Sequence, residues 1–60
     1  MTLDEMTDDA IDYIFDNLQW DELDQWETGF CESCHSRWER YRELSDRQKE
    51  VLGAIWDKQS

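Results

Sequence analysis

A chain with no proline, only two glycines and apolar residues recurring every three or four positions is constrained to fold into helices. Strands need turn chemistry between them. Almost none is present here, so the sequence predicts an all-α protein.

Ile11, Ile14, Phe15 and Leu18 follow the i, i+3, i+4, i+7 rule and predict a first helix over about Asp8 to Leu18. Thr7 is its expected N-cap, and Asp8 and Asp9 in the first turn suit the helix dipole. Thr2 to Glu5 also has capping-box spacing and offers an earlier start. A second helix is predicted over about Glu22 to Arg42 with Asp21 as N-cap. Its stripe reads Trp20, Leu23, Trp26 or Glu27, Phe30, Cys34, Trp38 and Tyr41. Gly29 interrupts that stripe and costs about 1 kcal/mol relative to Ala. It marks a kink, a break or the close approach of another helix, and a break would make four helices of three. The third helix has the clearest start, with Ser45 as N-cap and Gln48 three residues on, a capping box. Val51, Leu52, Ile55 and Trp56 give it an apolar face. The expected architecture is one helical domain over residues 1–60, a three-helix antiparallel bundle with tight turns, or four helices if Gly29 breaks the second.

Sixty residues bury only about 60% of the surface an unfolded chain exposes, so the core is marginal. Cys31 and Cys34 are three apart, and a bridge between them would close too small a loop to stabilise much. The apolar fraction is 38% with four Trp, two Tyr and two Phe, which separates this chain from aromatic-poor acidic tails. Met1 to Asp9 is acidic where an export signal needs a basic start and an apolar run. No apolar stretch approaches the roughly 20 residues that span a membrane. These features predict a cytoplasmic protein with reduced thiols.

Charge divides the chain. Residues 1–35 hold eleven acidic side chains and no Lys or Arg; residues 36–60 hold six basic and five acidic ones. The net charge of −10 is therefore −11 in the first part and +1 in the second. Such a chain is not expected to bind anionic lipid or nucleic acid directly, since phosphate contacts need Lys and Arg. The run Arg37, Arg40, Arg42, Arg47, Lys49 is interleaved with acids, and pairs such as Glu39–Arg42 and Asp46–Lys49 account for it.

Asp8, Asp12 and Asp16 lie four apart on the first helix. Four residues advance a helix by about 6 Å, close to the phosphate spacing along one DNA strand, about 6–7 Å. A helix so decorated imitates a phosphate row, and Asp21, Glu22 and Asp24 continue it. Like charges at i, i+4 cost a few tenths of a kcal/mol each, and Asp16 opposes the dipole near the helix end. Acids placed there suggest a use beyond folding; the plainer reading is a solvated face that keeps an aromatic-rich chain apart from its neighbours. Four Trp are more than a small core encloses comfortably. Trp20, beside the acids at a helix junction, is the expected exposed anchor, with self-association as the competing use of such a patch.

Cys31-Glu32-Ser33-Cys34-His35 matches the C-x-x-C-H haem-attachment string. That chemistry belongs to exported proteins. Zinc fits better than haem, because Cys31, Cys34 and His35 share one side of a helix, but a structural site needs four ligands and no other Cys or His exists. Cys34 continues the apolar stripe, which favours a small core residue. Cys31 and His35 face each other at i, i+4, yet no third orienting group accompanies them, so no enzyme is expected. No cofactor is expected either.

The string Trp26-Glu27-x-x-Phe30-x-x-Ser33, followed by Leu44-Ser45-x-x-Gln48-x-x-Val51-Leu52-x-x-Ile55, resembles a helical segment of small phage and bacterial proteins. The resemblance covers residues 26–55. It implies a phage-type origin near replication or recombination functions, and a scaffold role for residues 26–60. Function is then expected in the acidic residues 1–25: Asp8, Asp12, Asp16, Trp20, Asp21 and Glu22, with Asp24. The expected partner is a protein with a basic, nucleic-acid-binding surface, which these carboxylates would block. An accessory module of replication or recombination, acting through an aromatic patch or a homodimer, is the alternative. A zinc-stabilised domain is a further one.

Overall fold

The computed structural model describes residues 6–59. They hold three α-helices: α1 (Asp8–Asn17), α2 (Gln25–Tyr41) and α3 (Asp46–Gln59). A single 3-10 turn, Trp20–Glu22, separates α1 from α2, and no strand occurs among the described residues. The class is all-α, a small three-helix fold.

Local sequence sets the helix starts. Thr7 caps α1, its Oγ1 accepting from the Ala10 N–H at 3.2 Å. Ser45 caps α3 through a reciprocal box: the Gln48 N–H donates to Ser45 Oγ at 3.1 Å, and the Ser45 N–H donates to Gln48 Oε1 at 2.9 Å. The earlier start at Thr2 to Glu5 lies outside the described residues.

α2 starts three residues later than its expected cap. Asp24, not Asp21, is the N-cap, and it forms a full box with Glu27 at 2.7 and 3.1 Å. A box opened by Asp21 would have Asp24 at its third position, one methylene too short to reach back well; Glu27 has the length. Residues 20–22 therefore wind into the 3-10 turn. At the other end Arg42 adopts φ 54°, ψ 38°, the left-handed region that favours glycine, and its N–H bonds the Trp38 carbonyl at 2.8 Å. α2 runs unbroken through Gly29, so the four-helix alternative is set aside. No helix approaches closely there either, since a methyl group added at Gly29 would meet no atom within 4 Å.

Contacts far apart in sequence establish the helix directions. Asp12 of α1 bonds Trp38 and Arg42 at the end of α2. Glu27 at the start of α2 bonds Lys58 at the end of α3. Gln59 receives the Gln19 N–H on its Oε1 and donates its Nε2 to the Gln19 carbonyl, at 3.1 and 3.0 Å. Hence α1 and α3 each run antiparallel to α2.

All three helices feed one core. Ile11, Ile14 and Phe15 of α1 meet Cys31, Cys34 and Trp38 of α2 and Leu52 and Ile55 of α3. The acidic segment is thus as much scaffold as residues 26–59; the division along the chain is one of charge and not of packing. The α2 stripe also needs correction. Its buried line is Glu27, Cys31, Cys34, Trp38, while Trp26 and Tyr41 are 64% and 60% exposed. Cys31, Cys34 and Trp38 fix the inward direction, and position 27 lies on their helical line where position 26 lies about 100° away. Glu27 tolerates burial because Asp24 and Lys58 occupy both its oxygens, and no buried side-chain polar atom among the described residues lacks a partner.

Candidate functional site

α1 turns Ile11, Ile14 and Phe15 inward, which leaves Asp9, Tyr13 and Asp16 on its outer side with Asp8 beside them; all four are exposed. Asp9 and Asp16 are seven residues apart, a rise of about 10 Å. Tyr13 between them sets its ring edge-on to Trp56, centroids 5.8 Å apart.

Asp12, the middle rung of the expected phosphate-like ladder, is committed to the fold. Arg42 Nη1 and Nη2 donate to its two oxygens at 2.7 Å each, and Trp38 Nε1 donates to Oδ1 at 2.8 Å. The guanidinium also lies 4.5 Å above the Trp38 ring. These contacts, that of Arg42 first and that of Trp38 second, lower the Asp12 pKa to about 2. Asp12 in turn raises the pKa of Arg42, and the fields of Asp8 and Asp9 add to the effect. The ladder of three is therefore incomplete, and the cation at its centre offsets part of the negative field at the start of α1. Arg42 makes this cross-helix pair and not the expected one with Glu39, whose carboxylate lies 3.1 Å from His35 Nε2.

The remaining acids divide by role. Asp16, Asp21 and Glu22 are exposed and take no cation partner among the described residues. Asp24 is exposed but caps α2. Trp20 is half-buried, packed on the core with its ring 5.9 Å from His35, so it is not the exposed anchor. Trp26 is the exposed tryptophan. The signal for it in the sequence is the ambiguity between positions 26 and 27 in the stripe, which hydrophobicity alone does not resolve.

Cys31 and Cys34 are fully buried free thiols. Burial pushes each pKa up to about 11, with Cys34 and Glu27 adding to the shift at Cys31. His35 lies against Phe15 at 4.9 Å. Among the described residues no group of three or more His, Cys, Asp or Glu is placed to hold a metal ion, so the zinc set loses its geometric basis.

A second surface lies beside α3. Trp26 stacks on Phe30, centroids 5.3 Å apart and planes 12° off parallel. With Gln25, Gly29, Ser33 and Gln48 they line an open groove of about 440 Å³. The same side of α2 continues to Arg37 and Arg40, each 5.7 Å from the exposed Tyr41 ring. No helix among the described residues is long and apolar enough to cross a membrane. Comparison with known proteins finds no matching family model, no matching curated protein and no matching solved structure.

Proposed function

We propose that this chain is a non-catalytic binding protein. Its exposed carboxylates occupy the basic surface that a partner protein uses for nucleic acid. The observation that carries the reading is the set Asp16, Asp21 and Glu22: three exposed acids at the end of α1 and in the following turn, with no cation of the described residues beside them. Asp8 and Asp9 extend the surface along α1. Because Asp12 is occupied, the free carboxylates lie about 10–12 Å apart along the axis. That distance is nearer to every second phosphate of a strand than to every one. Competition is the mechanism. The field of a −10 protein draws a basic groove in quickly, and added salt weakens the complex. A partner in replication or recombination, the expectation drawn from residues 26–55, belongs to the same proposal.

The test compares immobilised wild type with Asp16→Asn/Asp21→Asn/Glu22→Gln in lysate capture. The expected result is a captured basic protein that is released both by salt and by competing duplex DNA, and that the triple variant fails to retain. Capture that survives neutralisation, or that DNA does not displace, overturns the reading.

A second reading, an interaction module acting through an aromatic patch, is favoured by exposed Trp26 stacked on half-buried Phe30.

A further inference from the structure

We infer that the groove side of α2 is seated against a second copy of this chain, the two α2 helices antiparallel about a twofold axis near Gly29 and Ser33. Three observations support this. Small residues line the groove on α2: Gly29 and Ser33 sit one turn apart, and a Cβ added at Gly29 would meet no atom within 4 Å. Backbones approach closely where such residues meet. Beside them stands exposed Trp26, stacked on Phe30, which is half-buried against the core; covering Trp26 removes rigid apolar surface from water at small entropic cost.

The third observation is the order of charge along α2. Asp21, Glu22 and Asp24 precede the helix, and Arg37 and Arg40 lie in its last turns. An antiparallel copy sets each acidic end against the partner's basic end, and opposes the two helix dipoles favourably. With the axis midway between Gly29 and Ser33, Gly29 falls opposite the partner's Ser33, and Trp26 lies one position from the partner's Arg37. Small then meets small, and ring lies near cation. A surface self-complementary in this way makes a closed pair.

The net charge of −10 on each copy opposes pairing. The shortest dimension of the molecule is 19 Å, which sets the scale of separation between the two charge centres. That exceeds the Debye length of about 8 Å at physiological ionic strength. Repulsion between whole molecules is therefore screened by modest salt, whereas the apolar contact is not. Dimerisation should strengthen from very low salt to about 0.15 M, opposite in sign to the salt response expected of the acidic face.

Sedimentation equilibrium on the full chain, across concentration and salt, tests this. Wild type is expected to form dimers that tighten with salt. Trp26→Ala, at an exposed position, should weaken the dimer by roughly thirtyfold or more if Trp26 is an interface anchor. Gly29→Leu should abolish dimers while the monomer melts no lower, because a Cβ at this exposed position meets no atom within 4 Å and leucine is the better helix former. Arg40→Glu should weaken pairing. A chain that stays monomeric at about 1 mM overturns the proposal; so do dimers that Trp26→Ala and Gly29→Leu leave intact. A monomer that loses capture of the basic partner on Trp26→Ala reassigns the groove to that partner. Asp9→Asn/Asp16→Asn, on the outer side of α1 and outside this charge pairing, should weaken capture of the basic partner and leave the dimer unchanged, which separates this outcome from failure of the acidic-face reading.

Discussion

Asp12 receives three hydrogen bonds, from Trp38 of α2 and from Arg42, the residue that caps its end, so the most informative acid of α1 is an internal tie. Its pKa falls from 3.8 to about 2 in the folded chain. A depressed carboxylate pKa adds stability above its unfolded value, and that stability is lost as pH falls from about 4 towards about 2. Asp12→Asn should therefore destabilise the fold at neutral pH. It should also flatten the decline of the melting temperature in that acid window, as followed by circular dichroism. Variant and wild type losing stability in parallel through the window would contradict the assignment. The Arg42 partner carries a separate burden, since its backbone is left-handed at φ 54°.

At the scale of elements, α2 is held by chemistry at both ends. Asp24→Ala and Ser45→Ala each remove an N-cap and should cost about 1 kcal/mol. For a domain this small that lowers the melting temperature by roughly 4–8 °C. At the C-terminal end two replacements of Arg42 separate strain from pairing. Arg42→Ala and Arg42→Gly both delete the Asp12 contact, but only glycine relieves the left-handed backbone. The glycine variant should be the more stable of the two by about 1 kcal/mol, measured by urea unfolding. Equal stabilities would mean that the backbone there carries no strain.

For the whole molecule, one small core must keep both thiols from water. Cys31 and Cys34 are fully buried, and their raised pKa values leave almost no thiolate at neutral pH. Alkylation of the native protein should be slow and should accelerate sharply across the urea unfolding transition, as read by mass spectrometry of intact protein. Fast labelling of either thiol in the absence of urea would show that the core opens locally. The acids act over the same scale: their mutual repulsion is carried by a compact body that only 60 residues stabilise.

Much of the architecture is legible in the sequence because it rests on neighbours three or four residues apart. Thr7 bonds Ala10 and Ser45 exchanges bonds with Gln48, and the apolar spacing of α1 and α3 sets their inward faces. Helix class, helix number, two of the three N-caps and the acidic asymmetry belong to that local information. The candidate site was only partly legible. Exposure of Asp16, Asp21 and Glu22 agrees with the charge pattern, but Asp12, Trp20 and Trp26 changed roles. Asp12 is claimed by partners 26 and 30 residues away, and Glu27 is claimed by one 31 residues away. That second contact helps bury a glutamate and leave Trp26 outside. Local spacing fixes which residues share a helix face. Only the packing of three helices decides which face of α2 turns inward, because that choice minimises the exposed area of the whole core and must satisfy every polar group carried in with it.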